Sequence, residues 1–376
     1  MDTMRFVIVR QKYRPDGGAE KFISYTLEAL ALLGTIELNI IARKWKYKQK
    51  ERLTLHKCDP MQWNRISREH RFASAARAIW QRENFNIVQS HERIAGCDIY
   101  RAGDGVHQIW LEQRSRVLPK WHQKLLFLSP YHRYVIKAEQ LTYQAPELKA
   151  VICNSRMVQK EISDQFGLDK NKIHVIYNAV NIKEFFPADE LQRLKIRKLF
   201  SLPLKASLLI YVGSGFERKG LKSAIYAISK THYYLIVVGR DKAEKKYHNI
   251  AKDLSCFNRV IFVGVQINMS LWYQAADGLL LPTLYDPCPN VILEAMACGL
   301  PIITSTTCGG SEFILPGKNG YICDAMDIKS IADAIMALPS WTFNSSASKY
   351  ARSQVKHLSY QHLSQQLLSL YKKILH

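Results

Sequence analysis

Short apolar runs alternate with helix-patterned segments along almost the whole chain, and few folds accommodate that rhythm. The run Met4–Val9 leads into helical periodicity over residues 19–33. Further strand-like runs at Ile36–Ala42, 87–89, 151–153 and 173–176 are separated by helical stretches such as 71–82. A strand, a helix and another strand in succession give a parallel sheet with helices on its faces. The scheme then starts afresh, with runs at 207–212, Tyr234–Val238, 260–263, Gly278–Leu281 and 301–304, each followed by a loop and a helix. Residues 183–205 are charged, poorly patterned and carry Pro187 and Pro203, which marks a domain boundary. At 376 residues the chain also exceeds one core of ordinary size. The reading is α/β, with two doubly wound domains facing a central cleft. The expected division is 1–185, 186–350 and a terminal stretch 351–376 whose helical run over 358–374 packs across the domain junction.

A formal net charge of +21 calls for a polyanionic partner, which charge alone leaves open among nucleic acid, anionic membrane and phosphorylated substrate. The eight cysteines are scattered without a Cys-x-x-Cys pair, and no histidine cluster has zinc spacing, so reduced, mostly buried thiols are expected. The amino terminus lacks the pattern of a signal peptide, and no stretch approaches the roughly 20 apolar residues of a membrane span. Together these features predict a cytoplasmic chain.

Three segments carry chemistry. The turn over residues 16–20 places Gly17 and Gly18 between the first strand and the first helix, where backbone N–H groups can meet a phosphate at the positive helix end. A plain helix-start turn explains the same residues. The loop over 213–220 sets Arg218 and Lys219 beyond the first strand of the second half, where doubly wound sheets bind ligands. Two cations there can neutralise a diphosphate through charge-assisted hydrogen bonds, or form a solvated pair. In the block 286–294, Asp286 precedes a helix whose first turn takes Pro289, and Glu294 lies about one turn inside it. Asp286 can accept hydrogen bonds from sugar hydroxyls, the N–H groups near Asn290 and Val291 can face a phosphate or the sugar, and Glu294 can bind a ribose. A helix-start Asp with a surface Glu is the commoner arrangement of such a pair.

The block continues through Glu294-Ala295-Met296-Ala297-Cys298-Gly299-Leu300-Pro301, then Gly309-Gly310-Ser311-Glu312. Together with Asn154-Ser155, Tyr177-Asn178-Ala179-Val180, Arg218-Lys219-Gly220 and Phe262-Val263-Gly264, this order resembles the retaining GT-B glycosyltransferases of family four. Ala102-Gly103-Asp104 and the run over 213–220 look closest to bacterial lipopolysaccharide core glucosyltransferases. The resemblance implies a GT-B fold of two Rossmann-like domains, the first for the acceptor and the second for a nucleotide-sugar donor, with a UDP-sugar expected. It also implies that Gly18 lines the diphosphate, Arg218 and Lys219 neutralise it, Glu294 holds the ribose and Asp286 holds the transferred sugar. Val265 matches a position near the donor base, with core packing as its alternative. Asp104 matches a position near the reacting carbon, with a turn-forming role as its alternative. The family usually has Glu where this chain has Asp286, which puts the identity of the transferred sugar in doubt. No Asp-x-Asp motif is present, so no metal or other cofactor is expected.

From 113 to 138 the chain has six Lys or Arg residues and no acid, mixed with leucines and aromatics. Arg114, Arg116, Lys120, Trp121 and Lys124 form the pattern of a segment that meets anionic lipid, at the inner face of the cytoplasmic membrane. A solvated helix whose apolar residues face the core is the alternative. A second basic run, 43–52, has Trp45 and Tyr47. The expected activity is hexose transfer to a membrane-associated glycan or glycolipid in lipopolysaccharide or other cell-surface polysaccharide synthesis. Competing readings are another GT-B enzyme such as a UDP-sugar epimerase, and a basic nucleic-acid-binding protein. The second leaves the Asp286 to Glu294 block unexplained, and no nucleic-acid partner is expected.

Overall fold

The computed structural model describes residues 4–12, 22–24, 26, 27, 30, 36–45, 53–338 and 345–375. They form two compact units, one comprising 1–178 with 361–376, the other 179–360. The first boundary thus falls at 178/179, and the chain returns at 360/361. Of the terminal stretch, the helix Ser346–Val355 belongs to the second unit, and residues 361–375 of the helix Tyr360–Leu375 to the first.

The first unit is built on a seven-stranded parallel sheet: β1 (Met4–Val9), β2 (Ile36–Ala42), β3 (Leu53–Lys57), β4 (Ile87–Ser90), β5 (Ile99–Arg101), β6 (Ala150–Cys153) and β7 (Ile173–Val175), in the spatial order β3-β2-β1-β4-β5-β6-β7. Phe6, Val7, Ile8 and Val9 are fully buried, as continuous apolar strands covered on both faces must be. The C-terminal helix is fastened to this core by Tyr371. Its hydroxyl donates to Gln89 Oε1 at 2.7 Å, and its ring meets Phe6 edge-on at 5.1 Å.

The second unit carries a six-stranded parallel sheet: β8 (Leu208–Val212), β9 (Tyr234–Val238), β10 (Val260–Gly264), β11 (Gly278–Leu281), β12 (Ile302–Ser305) and β13 (Gly320–Cys323), in the order β10-β9-β8-β11-β12-β13. Within residues 183–205, read from sequence as poorly patterned, the structure has a helix, Glu190–Leu199, opened by an Asp189 and Gln192 capping box. Its buried face is partly guanidinium. Arg193 and Arg197, about 5% and 4% exposed, both pair with Asp277, and Arg197 also donates to the Ala275 carbonyl at 2.9 Å. Apolar periodicity cannot reveal a helix anchored in this way. All eight cysteines are buried and none is in a disulfide. Among the described residues, no helix is long and apolar enough to cross a membrane.

Candidate active site

Each sheet reverses its strand order once, between β1 and β4 in the first unit and between β8 and β11 in the second. Doubly wound sheets bind ligands beyond the carboxyl ends of the strands flanking such a reversal. In the second unit those ends are the loops leaving β8 and β11. Gly220, at φ +75°, closes the first of them; a Cβ there would run into the Pro282 carbonyl, so only glycine lets the loops lie against each other. The Arg218 carbonyl then accepts from the Leu284 N–H at 2.8 Å and the Thr283 hydroxyl at 2.9 Å.

This stitching delivers two cations to one carboxylate. Arg218 Nη1 lies 2.8 Å and Lys219 Nζ 2.5 Å from Asp286 Oδ2, and Arg218 Nη1 also donates to the Tyr285 carbonyl at 3.1 Å. Asp286 is 5% and Lys219 8% exposed, while the Arg218 side chain is 39% exposed. Burial alone pushes the Asp286 carboxyl up. The charges of Lys219 and then Arg218, with their hydrogen bonds, outweigh burial and hold it below the usual carboxylate range. The acid is therefore ionised at neutral pH, and the cluster carries one net positive charge. Sequence reading gave the cations to a diphosphate and Asp286 to a sugar as separate contacts; the structure makes them one ion-paired group.

Pro289 is the N-cap of the helix Asn290–Ala297, one position earlier than expected, and Asn290 and Val291 begin its first turn. Glu294 Oε2 accepts from the hydroxyl of fully buried Tyr273 at 2.9 Å. Burial, then the Glu294 charge, push the Tyr273 phenol well up, so it stays a neutral donor. Val265, just after β10, is 67% exposed, which removes core packing as its role. Gly17 and Gly18 lie outside the described residues. Among the described residues, no three His, Cys, Asp or Glu side chains converge as a metal-ligand set.

In the first unit, a cavity of about 450 Å³ opens at the β1/β4 reversal, lined among others by Glu92, Arg93, Asp104, Tyr131 and Tyr134. Asp104 sits in the turn after β5, closed by a 3.4 Å bond from the Gly105 N–H to the Ala102 carbonyl, with its carboxylate at the cavity. Sequence reading missed Arg93 and Glu139, which stand beside it. The available signal was an acid at 139, right after a base-rich run, spaced helically with buried Val135 and Thr142.

The basic segment forms three helices, His107–Ser115, Lys120–Leu128 and Pro130–Tyr143. On the middle one only Leu126 is buried, so its other apolar residues do not face the core. Trp121, Leu125 and Leu128 form a stripe 63%, 56% and 64% exposed, beside exposed Lys120 and Lys124, with Arg116 exposed and Arg114 half-buried nearby. In the second basic run, Arg43 is a core residue, paired with Asp59 at 2.8 Å and donating to two carbonyls. Residues 46–52 lie outside the described residues.

Comparison with known proteins gives a consistent result. The family model described as Glycosyltransferase Family 4 matches residues 16–184, and the one described as Glycosyl transferases group 1 matches 192–354. The chain is 26% identical over 329 residues to the lipopolysaccharide core biosynthesis glycosyltransferase LpsE of Rhizobium meliloti, 85% of each chain. It is 25% identical over 248 residues to the lipopolysaccharide glucosyltransferase WaaG of Escherichia coli, 62% of this chain and 63% of that one. The crystal structure of WaaG superposes with a TM-score of 0.76 at 19% identity, covering 98% of both chains. That of HepE from Anabaena in complex with UDP-glucose gives 0.70 at 16%, covering 98% of this chain and all of that one.

Proposed function

The chain belongs to the GT-B glycosyltransferases of family four, and from that premise we propose that it moves a hexose from a UDP-sugar to a membrane-associated glycan or glycolipid, with retention at the anomeric carbon and without a metal ion. The observation that carries the donor half is the Arg218, Lys219 and Asp286 cluster at the strand reversal of the second unit. A diphosphate leaving group gains negative charge as the glycosidic bond breaks. Two preorganised cations, one of them almost dry, stabilise that charge more than water does. Asp286, ionised and already oriented by both cations, accepts hydrogen bonds from hydroxyls of the transferred sugar. Glu294, held by Tyr273, binds the ribose, and exposed Val265 lies against the base. The lipopolysaccharide core biosynthesis glycosyltransferase LpsE, the lipopolysaccharide glucosyltransferase WaaG, and HepE with its UDP-glucose support the substrate classes.

The acceptor's membrane side is served by the helix Lys120–Leu128. A tryptophan and leucine stripe flanked by bases suits the headgroup boundary of an anionic bilayer, at about 1 kcal/mol per basic residue near the surface. The site would then work at the inner face of the cytoplasmic membrane, on acceptors of lipopolysaccharide or other cell-surface polysaccharide synthesis.

A thermal-shift panel of UDP-, GDP- and ADP-sugars tests the donor assignment. At 100 times its dissociation constant, the correct donor stabilises the fold by about 2.7 kcal/mol. Stabilisation by a GDP- or ADP-sugar with none by UDP-glucose or UDP-galactose would refute it.

A further inference from the structure

At the cavity of the first unit Arg93 faces the largely exposed Asp104. Arg93 is anchored from behind: its Nε donates to Glu139 Oε1 at 3.0 Å, and the other Glu139 oxygen accepts from the His107 N–H at 2.9 Å. Glu139 is 1% exposed, so this anchor is buried and well fixed. Held in this way, the guanidinium presents Nη1 to Asp104 Oδ2 across 3.9 Å. That separation is too long for a hydrogen bond, yet one oxygen atom about 2.8 Å from each would bond to both.

A hydroxyl is the group that satisfies both sides, accepting from the guanidinium and donating to the carboxylate. An ionised phosphate oxygen has no proton to offer Asp104 and is repelled by it. The charge of the lining points the same way. Among the described residues four basic and three acidic side chains line the cavity, close to balance in a chain of +21, and Tyr134 adds aromatic surface beside Tyr131, one face of which is covered by the Arg65 guanidinium at 4.0 Å.

We propose that Arg93 and Asp104 jointly bind one hydroxyl of an uncharged sugar ring at the reacting end of the acceptor, and that buried Glu139 positions Arg93 for this contact. The inference rests on the glycosyl-transfer reading and narrows its acceptor to a terminal sugar recognised through hydroxyls instead of through phosphate.

The full chain, saturated with UDP, is titrated with neutral methyl α-glycosides of the gluco, galacto and manno series and with glucose 6-phosphate, followed by saturation-transfer NMR. Two variants are compared with the parent. Asp104→Ala removes an exposed acceptor. The double variant Arg93→Met with Glu139→Gln removes both buried charges together, which avoids leaving one of them unpaired. At least one neutral glycoside should bind the parent. Each variant should weaken it at least about tenfold, the loss expected for a hydrogen bond to a charged group. UDP affinity, a property of the second unit, should change less than twofold. The inference is overturned if both folded variants bind the glycosides as the parent does, or if glucose 6-phosphate binds tenfold more tightly than any neutral glycoside. With UDP still bound, either result leaves the transfer reading standing. If UDP does not bind the parent, the donor assignment falls and this inference falls with it.

Discussion

Replacing Lys219 with alanine separates the structural from the chemical work of the second-unit cluster. The ammonium sits 2.5 Å from Asp286 Oδ2, with the lysine 8% and the aspartate 5% exposed, so the variant strips a buried carboxylate of its drier partner. Breaking a buried pair by removing one member costs about 3–5 kcal/mol. Arg218 remains 2.8 Å from the same oxygen, which puts the expected cost toward the lower end. For a unit of this size each kcal/mol lowers Tm by about 2–4 °C, so a fall of roughly 6–12 °C is expected by calorimetry. Catalysis should suffer far more than the fold. A charge-assisted contact to a leaving group is worth most as charge develops, and its removal should cost on the order of 10² to 10⁴ in turnover. UDP release from the expected donor, measured well below the lowered Tm, reports this directly. A loss under about threefold in protein that is demonstrably folded would show that Lys219 only supports Asp286, and would refute its role at the diphosphate.

Turnover should persist in excess EDTA, because Arg218 and Lys219 take the place of a cation; activity lost and restored only by Mg²⁺ or Mn²⁺ would contradict that. Product NMR should find the donor's anomeric configuration kept, and the opposite anomer would overturn the mechanism. Since the folded pKa of Asp286 is depressed, its stabilisation is present above the ordinary carboxylate value of about 3.9 and is lost as pH falls through the lowered value. Urea midpoints from pH 7 to pH 3 should therefore fall more steeply near and below pH 4 for the parent than for Asp286→Asn, and equal slopes would refute the pairing. Changing Arg114, Arg116, Lys120 and Lys124 to Gln should weaken co-sedimentation with anionic vesicles by several kcal/mol at low salt, at about 1 kcal/mol per base, with donor affinity unchanged. Salt at 1 M, where the Debye length is about 3 Å, should mimic the mutant, and equal co-sedimentation of parent and variant would show this helix to be merely solvated.

The strands that sequence located are apolar runs bounded by turns or helix-patterned segments, such as Met4–Val9 and Tyr234–Val238. Those it missed differ for identifiable reasons. β3 (Leu53–Lys57) is an edge strand in which only Leu53 is buried, β5 is buried but three residues long and ends in Arg101, and β13 is a four-residue edge strand that opens on Gly320. The block from Asp286 to Glu294 was legible because its chemistry lies within one loop and helix start. The ion pairs were not. Arg218 and Asp286 are 68 positions apart, and Arg93 and Glu139 are 46 apart, joined only by the strand order. Charge alone names no partner at such distances, although the reversal between β8 and β11 is what brings the first pair together.

The same limitation explains why a charge of +21 was ambiguous, and its distribution over the described residues bears on the lipid proposal. Arg43, Arg193 and Arg197 are buried guanidiniums whose charge is met by Asp59 or Asp277 and by backbone carbonyls, so they add to the formal count while offering nothing to an external anion. Arg93, paired with Glu139, and Lys219, paired with Asp286, stand at the two candidate sites and add nothing to an extended polyanion-binding surface. What remains for a polyanionic surface are the exposed bases. Around the helix Lys120–Leu128 these stand beside an exposed tryptophan and leucine stripe. A nucleic-acid groove gains from bases and from aromatic faces for stacking, but it has no use for protruding leucines. The hydrocarbon boundary of a bilayer gains from all three, because lipid covers the apolar area that water otherwise must while the lysines stay at the phosphates. The coincidence of exposed charge with unburied hydrocarbon on one short helix is what supports the proposed lipid surface, a support that the total charge could not supply.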